Sequence, residues 1–196
     1  MRIAAMSMRT VRRVGAAALI AAGAVLAGQG LYIHAKAQLA QILLARAFTK
    51  SVAAGQPVKP WSWADTWPVA RISIPRLGAS AIALSGSSGQ ALAFGPAHLA
   101  NTPDAGEPGT AVYAAHRDTH FAILRNVVAG DVIEVERADG RTFRFRVTRT
   151  SVAPWYAPGI DTVSAGRHLV LATCWPFDAR TSGPLRFLVH AEAVDP

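Results

Sequence analysis

Cysteine is almost missing from this chain: of its 196 residues only Cys174 carries a thiol. An internal disulfide and a thiolate-rich zinc site are both excluded, and the lone thiol is either a small core hydrophobe or a reactive group. Histidine offers no metal site instead, because His34, His98, His116, His120, His168 and His190 show no ligand spacing. No metal and no cofactor is expected. Acidic residues are absent before Pro60, and lysine is absent after Lys59. The first 59 residues hold eight Lys or Arg; the remainder holds twelve Arg against twelve Asp or Glu. The net charge of +8 therefore belongs to the N-terminal segment alone. Nucleic-acid binding needs a basic stripe on the folded domain, so a membrane-proximal arm explains the charge better and no nucleic-acid partner is expected. No internal repeat is visible.

What is present begins with an apolar run. Arg9, Arg12 and Arg13 precede residues 14–33, about 20 residues in which only Gln29 is strongly polar, long enough as a helix to cross a bilayer core. Cations before the run put the N-terminus in the cytoplasm and the domain outside. The expected division is a basic cytoplasmic tail over 1–13, a single transmembrane anchor over 14–34, a helical stalk and linker over 35–60, and a globular domain over 61–196. Leu39, Ile42, Leu43 and Ala47 carry the helical pattern of the stalk. The rival reading is a cleaved signal peptide, since Ala35-Lys36-Ala37 resembles a small-residue cleavage site. The run exceeds the usual apolar core of a signal peptide, about 7–15 residues, which favours the anchor. Both readings export the domain.

In the globular part, turn residues punctuate short apolar runs. Residues 69–74 alternate with period two, 81–84 follow a Gly turn, and 110–115 form an apolar strand that delivers His116. Residues 132–137 and 142–147 alternate across Asp139-Gly140, a strong hairpin signal. Strands are also expected over 168–173 and 186–194, with short helices over 89–94 and 120–128 and a polar loop over 101–109. Many short strands with few helices indicate an all-β sandwich or barrel. The last two strands are expected to pair antiparallel across the loop 175–185.

Three residues at strand ends can do chemistry together. Cys174 closes one strand, Arg186 opens the next, and His116 ends an earlier one. Cysteine catalysis needs a thiolate and a proton shuttle; histidine titrates near neutral pH and suits the second role. A tetrahedral intermediate needs donors aimed at its oxyanion, and an arginine brings a permanent charge with forked N–H groups. His120 competes with His116, and Arg180 with Arg186. His120 is expected to face outward or cap a helix, and Arg180 to lie in a solvated loop with Asp178. Trp61, Trp63 and Trp67 either meet the membrane interface or pack on the domain.

Leu169-Val170-Leu171-Ala172-Thr173-Cys174, with Arg186 twelve residues later and His116 well upstream, resembles the sortase family. The cysteine segment is similar to its Thr-Leu-x-Thr-Cys signature, with Val170 and Ala172 as departures. His116-Arg117-Asp118-Thr119-His120-Phe121, Cys174-Trp175-Pro176-Phe177 and Gly183-Pro184-Leu185-Arg186 resemble the proteobacterial subgroup. Ala115 stands where many relatives have Gly before the His, a departure expected to tighten the local turn. The resemblance covers about residues 67–194. It implies a closed eight-stranded β-barrel and catalysis by His116, Cys174 and Arg186, with Thr173, Trp175, Asp118 and His120 as substrate-binding candidates. With the apolar run and its preceding arginines, the expected protein is a single-pass protein of the inner membrane with a periplasmic catalytic domain. That domain would act as a cysteine transpeptidase, cleaving a C-terminal sorting signal of a secreted partner through a thioacyl-enzyme and passing the acyl group to an amine. Two alternatives stay open: a hydrolase using the same three residues, and an exported β-barrel binding module with an inert Cys174.

Overall fold

Period-two segments need a second layer or a closed sheet to bury their apolar faces, and here the sheet closes. The computed structural model describes residues 8–86 and 88–194, apart from the side chains at 8, 10, 11, 13–17, 30, 33, 34 and 90. A helix α1 (Met8–Ala54) precedes β1 (Pro68–Ile74), β2 (Ala79–Ser85), α2 (Gly89–Phe94), β3 (Ala97–His98) and β4 (Gly109–Ala114). Then follow β5 (Val132–Arg137), β6 (Thr142–Pro154), β7 (Arg167–Cys174) and β8 (Leu185–Ala193). The strands close in the order β1-β2-β3-β4-β7-β8-β6-β5. The expected eight-stranded barrel is thus borne out. β2–β3 and β4–β7 are parallel pairs; the remaining neighbours are antiparallel.

Strand alternation divides the apolar residues between two faces. Inside the barrel, Ile72, Ile74, Tyr113, Ile133, Val135, Phe145, Leu169, Leu171 and Val189 belong to one buried cluster. A second, smaller cluster joins Val112 of β4, Val170 of β7 and Leu188 of β8, with Leu99, Ala153, Ile160 and Ala172 against it. These are the alternate residues of the same strands, so this cluster lies on the outer face. The β5–β6 hairpin turns at Gly140 with φ of +83°, a backbone conformation that favours glycine.

Several elements differ from the sequence reading. β6 continues to Pro154 rather than ending at 147, because beyond a register shift at Val147/Arg149 it pairs with β8. The expected helix over 120–128 is a 3-10 turn, Ala122–Asn126, with no side-chain cap at its start. β3 is a two-residue strand between the expected helix and the expected loop, where no element is expected from the sequence.

The chain forms two compact units, Met1–Ala40 and Gln41–Pro196. The last turns of α1 pack within the second unit and are not a free stalk. Leu44 packs with Leu84 and Ala91, Gln41 Nε2 donates to Phe94 O at 2.7 Å, and the Arg71 guanidinium lies 4.7 Å over the Phe48 ring. Leu44, Ala47 and Phe48 are buried while Leu39 and Ile42 are exposed. The buried stripe is thus rotated from the one read in the sequence. In the first unit Leu19, Ile20, Val25, Leu26, Leu31 and Tyr32 are exposed. The expected anchor over 14–34 includes side chains outside the described residues; among the described residues no helix is long and apolar enough to cross a membrane.

Candidate active site

Register brings the three chemical residues into one row. β4 and β7 run parallel with Ala114 opposite Ala172, so continuing both strands by two residues sets His116 opposite Cys174. β7 and β8 run antiparallel with Cys174 opposite Arg186. Adjacent strands lie about 5 Å apart, so the row spans only neighbouring positions. It also faces one way. Leu169 and Leu171 belong to the inner cluster and Val170 and Ala172 to the outer one, which puts Cys174 on the outer face. The same alternation puts Arg186 outside with Leu188, and His116 outside beyond Val112 and Ala114. The outer apolar cluster is the floor beside the row.

The inner row holds the site rigid. Ala115 N donates to Ala172 O at 3.1 Å. Thr173, buried, donates its Oγ1 proton to Ala115 O at 2.7 Å. The residue before the cysteine is thereby tied to the residue before the histidine. Thr173 points into the barrel, so its hydroxyl is a brace rather than a group presented on the outer face. Ala115 is buried and not strained, since no described non-glycine residue has positive φ. Phe187, opposite Thr173, stacks with Trp175 at 5.7 Å and meets Phe177 edge-on at 5.1 Å. These three rings flank that end of the core, and Trp175 is fixed among them while remaining half-buried.

Electrostatics separates the two histidines. His116 is exposed at the row. His120 is half-buried and borders a cavity of about 270 Å³ with Ile72, Ile74, Phe121, Ile123 and Leu171. Burial first, and nearby His116 second, push its pKa below the ordinary imidazole value. A group that resists protonation is a poor proton donor near neutral pH, which favours His116 for that role. Asp118 is exposed beside them.

Arg186 Nη1 donates to Gly183 O and Leu185 O, both at 2.9 Å, which anchors the guanidinium by one nitrogen. Arg180 is exposed in the loop. Thiol, imidazole and guanidinium on one face, with their backbone tied from beneath, form a set suited to nucleophilic acyl transfer. No group of His, Cys, Asp and Glu among the described residues is arranged to hold a metal.

The model of the sortase domain matches residues 72–194. The chain belongs to the sortase family. Sortase D of Bacillus subtilis (strain 168) is 25% identical over 124 residues, which are 63% of this chain and 62% of the relative. The structure of sortase A from Corynebacterium diphtheriae superposes with a TM-score of 0.61 at 26% identity, covering 68% of this chain and 64% of that one. Sortase C-1 from Actinomyces oris gives 0.58 at 28% identity, covering 66% and 76%. The chain thus spans a little under two thirds of the length of the first two relatives. The matched range of the family model, residues 72–194, includes His116, Cys174 and Arg186.

The sequence reading did not weigh Arg117 separately from its motif. Its guanidinium donates to two carbonyls of the 175–184 loop, Ala179 O and Thr181 O. A backbone acceptor leaves no mark in sequence, so only the position of Arg117 beside His116 pointed to it.

Proposed function

We propose that this sortase-family chain is a membrane-anchored cysteine transpeptidase acting on a secreted partner with a C-terminal sorting signal. The observation that carries the reading is the cross-strand pair Cys174–Arg186 of β7 and β8, with His116 two residues beyond the end of β4, the strand parallel to β7. The Cys174 thiolate attacks a backbone carbonyl carbon of the sorting segment. Arg186 donates to the oxyanion of the tetrahedral intermediate. As the C–N bond breaks, His116 gives its proton to the departing amine, and a thioester remains on Sγ. A second amine then attacks, His116 takes its proton, and the C–S bond breaks to restore the thiolate. Water in place of the amine would give hydrolysis through the same steps. Asp118 and His120, which follow His116 in sequence, and Trp175, which follows Cys174, are the proposed substrate contacts.

The anchor belongs to the same proposal. A run of about 20 apolar residues after three arginines supports a single span with the barrel on the periplasmic side. The exposed Leu19, Ile20, Val25, Leu26 and Leu31 are the side chains such a span would present to lipid.

The test incubates wild type and Cys174→Ala with a secreted protein bearing a candidate sorting tail, and follows Cys174 by mass spectrometry. Wild type forms an acyl adduct that hydroxylamine releases as a hydroxamate. Cys174→Ala forms none and leaves the tail uncut. Processing by Cys174→Ala would sink the acyl-transfer reading and favour a binding module with an inert thiol.

A further inference from the structure

The loop 175–184 carries the chain from Cys174 to Arg186, and the segment after His116 grips it at two points. Arg117 Nη2 donates to Ala179 O at 2.5 Å and to Thr181 O at 2.8 Å. Eight positions on, Arg125 pairs with Asp178 at 3.2 Å and lies 5.1 Å over the Phe177 ring. From the loop the contacts lead onward, because Gly183 O accepts from Arg186 Nη1 at 2.9 Å and Leu185 O accepts from Trp175 N at 3.0 Å. A continuous path thus joins the residue after His116 to the guanidinium beside Cys174. Arg117 sits there at a cost: its Nη1 is buried without a hydrogen-bond partner among the described residues, and such a donor lowers stability. An aliphatic side chain would avoid that cost. It would have no N–H to give to the two carbonyls, both of which accept from the one nitrogen, Nη2.

We infer that Arg117 is a positioning residue that holds the 175–184 loop, and through it Arg186, in line with His116 and Cys174. The inference rests on the acyl-transfer reading of the row. It separates the cation that faces substrate, Arg186, from the one that orients it. Arg125 is a second, outer grip on the same loop, with its ion pair open to solvent.

The test compares the full chain in detergent, as wild type, Arg117→Met and Arg117→Lys, with two probes. Trypsin reads the loop, since Arg180 is exposed within it and cleavage after it requires local opening. Iodoacetamide reads the cysteine, as the rate of Cys174 alkylation across pH. The charged or titrating groups on the elements around that thiol are His116, Arg117, Asp118 and His120 after β4, Arg186 of β8, and Asp178 and Arg180 of the loop. In Arg117→Met, cleavage after Arg180 speeds up by about tenfold, the scale of one charge-assisted hydrogen bond. The alkylation rate of Cys174 falls as Arg186 leaves its place opposite the thiol. Arg117→Lys keeps the charge and a terminal N–H donor but is shorter and lacks the rigid guanidinium plane, and is intermediate in both readouts. If Arg117→Met does not fold, Arg117→Lys carries the comparison. A loosened loop with an unchanged alkylation profile would overturn the positioning role and leave a structural one. An unchanged loop would overturn the clamp. An inert Cys174 in wild type would overturn the acyl-transfer reading and the positioning role with it, while trypsin still decides whether Arg117 clamps the loop.

Discussion

At the scale of single residues, what each of two arginines already holds favours one of them for the oxyanion. Arg186 uses Nη1 on its own loop carbonyls, and among the described residues its Nε and Nη2 make no hydrogen bond. Arg180 stands exposed among loop residues. Arg186→Lys keeps the charge and loses the planar fork, so turnover falls by about a hundredfold or more, as for a lost oxyanion donor. Arg180→Lys leaves turnover unchanged. The rate of acyl-adduct formation on Cys174 in a single turnover measures both; equal losses would mean that the wrong arginine carries the oxyanion. This part of the site was legible because strand alternation and the spacing from Cys174 to Arg186 fix a cross-strand pair. The function of Thr173 was not legible in the same way. A threonine beside a cysteine reads as a substrate contact until the parallel register of β4 and β7 shows its hydroxyl turned inward onto Ala115 O.

At the scale of elements, the strands with clean alternation, such as β5 and the start of β6, were read correctly. The second half of β6 was missed, since Thr148, Arg149 and Thr150 are exposed and bury no face. The last turns of α1 were misread because helical periodicity gives a stripe but not the surface that covers it. A chain starting at Gln41 keeps Leu44 and Phe48 on the barrel; one starting at Trp61 loses both. Burial of each large apolar side chain contributes roughly 1.5–3 kcal/mol, so the shorter chain melts clearly lower by calorimetry. Equal melting temperatures would return the domain boundary to residue 61. A second joint is the turn before β5. Arg76, in the 3-10 turn Pro75–Leu77, pairs through Nε and Nη2 with both carboxylate oxygens of buried Asp131, whose Oδ2 also accepts from Val128 N at 3.0 Å. The Arg76 hydrogen bond, against the opposing effect of burial, holds the Asp131 carboxyl below the ordinary carboxylate range. A depressed pKa stabilises the fold above the unfolded value, and the contribution is lost as pH falls through the folded one. Wild type therefore loses melting temperature on acidification below the ordinary aspartate range. Asp131→Asn begins lower at neutral pH and lacks that part of the slope. Parallel pH–melting curves for the two proteins would remove this joint from the account.

At the scale of the whole molecule, the decisive question is whether the apolar segment stays attached to the barrel. A signal-peptide core of about 7–15 residues is cut from the mature protein, whereas a run long enough to span the bilayer stops transfer and remains. Residues 14–33 are of the second length, and the exposed Leu19, Ile20, Leu26 and Leu31 have nothing in their own unit to cover them. If the segment inserts, arginines at 9, 12 and 13, with no acidic residue before Pro60, favour a cytoplasmic N-terminus. The barrel, with its twelve arginines balanced by twelve acidic residues, adds no charge of its own. Anchoring would keep the row near the membrane that its secreted partner crosses, so attachment and catalysis serve one reaction. The measurement is the intact mass of the protein extracted from membranes, together with its partition after a carbonate wash. The expected result is a mass that includes residues 14–34 and a protein that stays in the pellet. A mature protein beginning at Gln38, recovered in the soluble periplasmic fraction, would replace the anchor with a cleaved signal and leave the barrel free to meet its partner away from the membrane.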